Sequence, residues 1–194
     1  IIAGAAIPVT SKVMTYKARN ATKEELQALS EASEAYFRDT FALPSSVADL
    51  IVDSGASGWS GPYLPGVVTD QLTGSSGYEV DAWSRAYTVS SSGDVLTISS
   101  MGEDAQAGTS VDIDIDLDVT PVRREETLER LETINNAIAK WNESYLISDP
   151  LPADYSQIYS KLTTSLPAYL PASTSYQTDA WGDAYEPDPA GDVP

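Results

Sequence analysis

The chain has 194 residues, of which 42% are hydrophobic and 21% are charged, a composition typical of a folded soluble protein rather than a disordered one. Its formal net charge of −18 predicts repulsion from nucleic acids and from anionic lipid headgroups, so no nucleic-acid partner is expected. The absence of histidine and cysteine excludes disulfides, thiol nucleophiles and Ser-His-Asp catalysis, while two paired carboxylates still permit glycosidase chemistry.

The first forty residues predict one long helix. Leu26, Leu29 and Tyr36 recur at helical spacing, and we expect the helix over residues 10–40. Before Leu26 the apolar stripe is thin, so this part of the helix should protrude or pack on something outside the chain. Residues 1–8 are uncharged and look like the end of a longer apolar segment, although an ordinary buried end also fits. They are too few to span a bilayer, which needs ~20 residues.

The middle of the chain changes to a period of two, which predicts strands. Residues 86–90 and 95–99 are rich in β-forming side chains and flank the turn-forming residues 92–94, which together indicate a hairpin. Residues 111–119 alternate strictly between apolar side chains and aspartates, as in a strand with one buried face. The predicted fold class is therefore α+β, with the long N-terminal helix packed on a small antiparallel sheet within residues 78–119.

A seven-residue motif occurs twice, which predicts an internal duplication. The pattern Asp-Ala-Trp-x-x-Ala-Tyr stands at residues 81–87 and again at 179–185, and Tyr-Leu-Pro precedes each copy. A second helix is expected over 123–145. We therefore predict two modules, 1–119 and 120–194, the second a shorter, helix-led copy without a counterpart of the 111–119 strand. The residues expected on the core face of the second helix are Leu128, Leu131, Ile134, Ile138 and Trp141.

An ordered series of segments resembles a known family. Residues 21–29 and 34–40 on the first helix are followed by 61–64, 81–87 and 99–104. In this order they resemble the type IV pilin-like proteins and, among them, the major (G-type) pseudopilin of the type II secretion system. Two usual prolines and one usual glycine of that family are replaced by alanines, namely Ala82, Ala86 and Ala105.

This resemblance implies a non-enzymatic structural subunit that assembles through its N-terminal helix. The implied partners are other pilin-like subunits, in a homo- or hetero-oligomeric filament, and the secretion machinery. It also implies an anchor in the bacterial inner membrane through an apolar helix missing from this sequence. The soluble domain would then lie in the periplasm, or belong to an extracellular filament.

The loop from Met101 to Asp112 corresponds to the loop in which the resembling pseudopilins hold a calcium ion. Carried over, Asp104 and Asp112 supply the carboxylates, and Asp114 is nearly as good a match as Asp112. The backbone oxygens of Met101 and Gln106 would complete a set of oxygen donors, which calcium prefers. The run of aspartates lacks the glycine and glutamate of an EF-hand. The alternative is that these aspartates face solvent and discourage the pairing of an edge strand.

The repeated motif has a structural and a ligand-binding interpretation. In the structural one, which we favour, the aspartate fixes a turn through backbone N–H groups, and the aromatic residues fill a small core. The rival is a cell-surface carbohydrate-binding or adhesive module, which exposure of both Trp83 and Trp181 would favour. A glycoside hydrolase would need two carboxylates facing each other about 5–10 Å apart, and the sequence singles out no such pair.

Overall fold

The structure is a computed structural model that describes residues 6–65 and 77–187, with side chains described from residue 12 onward. Most of the uncharged segment 1–8 therefore lies outside the described residues. The chain divides into two compact units, Ile1–Thr120 and Pro121–Pro194, here called unit 1 and unit 2. Each unit has a hydrophobic core made of its own residues.

Helix α1 of unit 1 extends from Ala6 to Thr40, and it confirms the predicted long helix. Leu26, Leu29 and Phe37 are almost fully buried, because the helical spacing of these apolar residues places them on one face. Phe41 follows in a left-handed conformation with φ of 52°, and its N–H donates to the Phe37 carbonyl at 2.8 Å. The helix therefore ends immediately before the Leu43-Pro44 pair.

A three-stranded antiparallel sheet packs against α1 in unit 1. Its strands are β1 (Thr88–Ser92), β2 (Val95–Ser100) and β3 (Ile113–Asp118), in the order β1-β2-β3. Ser92 pairs with Val95 across the predicted hairpin turn, where Gly93 has φ of +59°. The α+β class, with a long helix on a small antiparallel sheet, is confirmed. The core between helix and sheet includes Leu26, Leu29, Tyr36, Leu50, Leu64, Leu96, Ile98 and Ile113.

Unit 2 is helical in its described residues, 121–187. Helix α2 extends from Thr120 to Tyr145 and helix α3 from Tyr155 to Thr164, and an isolated Thr178–Ala184 bridge is the only β-type pairing recorded there. The core is formed by the two helices and the loop that follows them. Its buried members are Ile134, Ala137, Trp141, Ile158, Leu162 and Leu170.

One predicted core position on α2 is wrong. Leu128 was expected on the core face, but 57% of its side chain is exposed. At ~100° per residue, Leu128 lies about 120° around the helix from Ile134, whereas Ala137 and Trp141 continue the Ile134 stripe. The part of α2 that enters the unit 2 core therefore begins at Ile134, although Val122 near the start of the helix is also buried.

Candidate functional site

The Asp81 carboxylate organises the first copy of the repeated motif. Its side chain is 3% exposed, and Oδ1 accepts hydrogen bonds from the N–H groups of Trp83 at 2.9 Å and Arg85 at 3.0 Å. Oδ2 accepts from the hydroxyl of Ser100 at 2.6 Å, which fastens the turn to the end of β2. The N–H of Ala82 also donates to the hydroxyl of Thr22 on α1 at 3.2 Å. The carboxylate thus has a structural role, joining the turn to the sheet.

The second copy of the motif has the same backbone geometry in unit 2. Asp179 Oδ1 accepts from the N–H groups of Trp181 at 2.8 Å and Asp183 at 2.9 Å. The N–H of Ala180 donates to the hydroxyl of Thr127 on α2 at 3.0 Å. Here Gly182 has positive φ, as Ser84 does at the corresponding position of the first copy.

The two tryptophans of the motif differ in exposure. Trp83 is partly buried and packs against the unit 1 core, whereas Trp181 is 44% exposed. The condition that would have favoured a carbohydrate-binding surface, exposure of both tryptophans, is met at Trp181 alone.

Two of the predicted calcium ligands, Asp104 and Asp112, accept hydrogen bonds from groups within their own loop. Asp104 ends the short 3₁₀ turn Gly102–Asp104 and accepts from the N–H of Gln106 at 3.0 Å. Asp112 accepts from the N–H groups of Gly108 at 2.6 Å and Thr109 at 3.2 Å, and from the Thr109 hydroxyl at 3.1 Å. Both carboxylates therefore stabilise local turns.

The remaining predicted ligands surround these turns. Asp114 is exposed on β3, opposite Ser99 of β2. Met101 is half-buried just before the 3₁₀ turn, and Gln106 is exposed beyond it. Within residues 6–65 and 77–187, no group of three or more Asp, Glu, His or Cys side chains is placed to hold a metal ion. Any calcium site here would therefore rest on two carboxylates and backbone oxygens.

Two arginines donate hydrogen bonds to backbone carbonyl oxygens of the same loop, and the sequence analysis predicted neither contact. The guanidinium of Arg85 donates to the carbonyl oxygens of Gly102 and, at 3.1 Å, Glu103. Arg19 on α1 donates to the carbonyl of Val111 at 3.4 Å, near the other end of the loop. Since donor and acceptor lie 17 to 92 positions apart, no local pattern in the sequence signals these bonds.

The N-terminal part of α1 presents apolar side chains to solvent. Val13 is 48% exposed, and Met14 and Tyr16 are each 67% exposed. The same helix buries its apolar face from Leu26 onward. This exposure agrees with the thin apolar stripe before Leu26. None of the helices in the described ranges is long and apolar enough to cross a membrane.

Comparison with known proteins agrees with this architecture. Residues 10–120 match the sequence model of the family described as type II secretion system (T2SS), protein G. A relative from Xanthomonas campestris pv. campestris, the type II secretion system core protein G, is 34% identical over 98 residues. That match covers 50% of this chain and 63% of the relative, so the chain spans less than two thirds of the relative's length. No solved structure matches the chain. The family match includes α1 from residue 10 onward and the whole sheet, and the chain therefore belongs to the type II secretion system protein G family.

Proposed function

We propose that this chain is a non-enzymatic structural subunit of a pseudopilus in type II secretion, or of a related pilin-like filament, and that it assembles through α1. The observation that carries this proposal is the exposed apolar segment of α1. Three large side chains, Val13, Met14 and Tyr16, are about half to two-thirds exposed in a helix whose apolar face is buried from Leu26 onward. Clustered exposed apolar side chains typically mark a surface that binds a partner.

Charge supports contact between copies of the chain. Residues 1–23 carry four basic side chains and no acidic one, although the chain as a whole has a net charge of −18. A basic helix end is attracted to the acidic body of another subunit, and this attraction favours one packing register over others. The four basic residues are Lys12, Lys17, Arg19 and Lys23.

The partners and location follow from the family. The relative is named as a core protein of the type II secretion system. By analogy, the partners of this chain are other pilin-like subunits and the secretion machinery. The location that fits is the bacterial inner membrane, reached through an apolar helix, with the described units in the periplasm or in an extracellular filament.

A cysteine cross-link tests the assembly surface. Because the chain has no cysteine, Met14→Cys introduces a single thiol on α1. We expect a short bis-maleimide to join two copies of Met14→Cys into covalent dimers in secreting cells, since each chain has a single thiol and each linker reacts with two. Ser91→Cys, on an exposed position of β1, is the matched control and should yield markedly fewer. Equal yields from the two variants would contradict assembly through this part of α1.

We further propose that residues 120–194 are a partial second copy of the first module. Corresponding contacts support this. The Leu50 carbonyl accepts from the N–H groups of Tyr63 and Leu64, and the Leu162 carbonyl accepts in the same way from Tyr169 and Leu170. The turn contacts to Thr22 and Thr127 provide a second correspondence. The copy has kept a helix and its turn, and we propose that it caps the filament surface or recruits a partner.

Calcium binding in the Met101–Asp112 loop remains a proposal from the family resemblance. The donor chemistry fits, since Asp104 and Asp112 belong to one loop and each carboxylate oxygen accepts more than one hydrogen bond or metal contact. Asp114 and the backbone oxygens of Met101 and Gln106 are the further candidates. When bound, calcium would hold the two turns together by coordination.

A melting experiment tests calcium. We expect a chelator to lower the melting temperature of the native chain, and Asp104→Ala to abolish that response. Glu103→Gln, an exposed neighbour on the same turn, is the control and should keep the response. A native melting temperature that is unchanged by chelator would refute calcium binding.

A further inference from the structure

A cavity in unit 2 lies beside the start of α3 and the end of the second motif copy. Its volume is about 430 Å³, within the range of small-ligand sites. It lies outside the region that matches the protein G family, residues 10–120. The residues that give the cavity its character are Asp154, Tyr155, Tyr159, Gln177, Tyr185 and Glu186.

Two of the three tyrosine rings of the cavity are held in place by hydrogen bonds from their own hydroxyl groups. Tyr155 donates to the carbonyl of Tyr176 at 2.5 Å, and Tyr159 donates to the carbonyl of Ser173 at 3.1 Å. Tyr185 packs edge-on against Tyr155, with ring centroids 5.5 Å apart. Because these two hydroxyls already bind the backbone, Tyr155 and Tyr159 offer a ligand mainly their aromatic surfaces, while the Tyr185 hydroxyl has no hydrogen-bond partner among the described residues. Such surfaces attract cations through the ring quadrupole.

The charged side chains that line the cavity are both acidic. Arg130, outside the lining, donates to the carbonyl of Thr178 at 3.2 Å and is paired with Glu126. Asp154 and Glu186 contribute carboxylates, and no lysine or arginine is among the lining residues. Hydrogen bonds from the Ser156 hydroxyl and the Gln157 N–H hold the pKa of Asp154 below its usual value, so this carboxyl is charged at neutral pH. Glu186 makes no ion pair with any residue that the structure describes. An anionic ligand is therefore disfavoured, and a cationic one is favoured.

We propose that this tyrosine cavity binds an organic cation of the ammonium type, with its charge against the aromatic rings and near Glu186. Two sources of this chemistry exist, a free quaternary amine and a lysine side chain. A neutral sugar would stack on the rings and donate hydroxyl hydrogen bonds to the carboxylates, but it would gain no attraction between opposite charges. The dependence of affinity on the ligand's positive charge therefore distinguishes an ammonium ligand from a carbohydrate.

The test compares a cationic probe with a neutral molecule of the same shape and with a neutral sugar. The full chain is titrated with choline, with its neutral isostere 3,3-dimethylbutan-1-ol and with glucose, while the amide signals of residues 155–159 and 184–186 are followed by NMR. We expect saturable shifts with choline and at least about tenfold weaker binding of the neutral alcohol. An equal affinity for choline and the alcohol, or saturation by glucose and not by choline, would overturn the proposal. N-acetyl-lysine methylamide, titrated in parallel, distinguishes a lysine side chain from a free amine.

A variant pair ties the binding to this cavity. Glu186→Gln removes one charge from an exposed position without changing the shape of the site, and it should weaken choline binding about three- to tenfold. Glu143→Gln, on the exposed end of α2, removes the same charge elsewhere and should leave the affinity unchanged. Equal affinities in the two variants would refute the proposed location.

Discussion

At the scale of single residues, the two aspartates of the repeated motif perform the same task in different surroundings. Asp81 is 3% exposed and accepts from two N–H groups and the Ser100 hydroxyl. Asp179 is half-buried, and the bonds recorded to its side chain come from two backbone N–H groups. A buried acceptor leaves more polar groups unsatisfied when it is removed. Asp81 should therefore contribute more to stability than Asp179.

We expect Asp81→Ala to lower the free energy of unfolding of unit 1 by about 2–3 kcal/mol, and Asp179→Ala to lower that of unit 2 by about 1 kcal/mol. Urea unfolding followed by amide exchange reports the two units separately, which matters because a chain of two units need not unfold in one step. Equal losses of unfolding free energy in the two variants would show that the burial of Asp81 and its bond to Ser100 add nothing to stability.

A second feature of a single residue, the buried hydroxyl of Tyr87, predicts that unit 1 loses stability at alkaline pH. It donates to Glu25 on α1 at 2.5 Å, and burial, reinforced by the Glu25 charge, raises the pKa of Tyr87 well above its usual value. A raised folded-state pKa gives stability that is complete below the unfolded pKa of about 10 and is lost as pH rises above it. Unit 1 should therefore lose stability above pH 10, and Tyr87→Phe should reduce this loss.

The measurement is the urea midpoint of unit 1 at several pH values between 8 and 11. The Tyr87→Phe variant starts from a lower stability because the bond to Glu25 is gone, but its midpoint should change less with pH. Tyr16→Phe, on an exposed position of α1, should keep the native pH dependence. A parallel decline of the native chain and Tyr87→Phe would contradict the assignment.

At the scale of elements, α2 shows how one helix face is selected. Ile134, Ala137 and Trp141 are buried, while Leu128 on the same helix is 57% exposed. We expect Ile134→Ala to lower the free energy of unfolding of unit 2 by about 2–4 kcal/mol. Leu128→Ala should change it by less than about 0.5 kcal/mol, because alanine suits a helix and little apolar area is lost. Thermal melts of both variants test this, and a large loss for Leu128→Ala would place that side chain in the core after all.

Helix α1 divides into two parts with different environments. From Leu26 to Phe37 it is embedded in the unit 1 core, and at residues 13–16 its apolar side chains face solvent. The segment from Leu26 to Phe37 stabilises the fold, and residues 13–16 form the surface that we propose for assembly. A substitution such as Met14→Glu should therefore leave the melting temperature of unit 1 unchanged while it reduces filament formation. A large loss of melting temperature would instead give this segment a role in the fold.

At the scale of the whole molecule, two separate cores predict separable folding. The core of unit 1 contains residues up to Leu117, and that of unit 2 contains residues from Ile134 onward. We expect a fragment ending at Thr120 to keep the amide-exchange protection of Leu96 and Ile98 in β2. Unit 2 alone, at fewer than ~80 residues, should be only marginally stable. Loss of protection in the first fragment would show that unit 1 depends on the rest of the chain.

Local sequence patterns were sufficient to predict the main elements of unit 1. Helical spacing predicted α1, the turn residues 92–94 predicted the hairpin, and the alternation over 111–119 predicted β3. These signals are local, because a helix face or a strand face repeats within a few residues. The ordered motifs likewise indicated the family, because their residue types and order can be read along the chain without tertiary information.

Contacts between side chains that are far apart in the sequence became evident from the folded chain. The tertiary structure placed Arg85 and Arg19 on the loop carbonyls, exposed Leu128 and Trp181, and joined Tyr155 and Tyr185 around a cavity. Residue type and spacing do not encode these outcomes, because each depends on how elements distant in the sequence pack and on which faces remain for water.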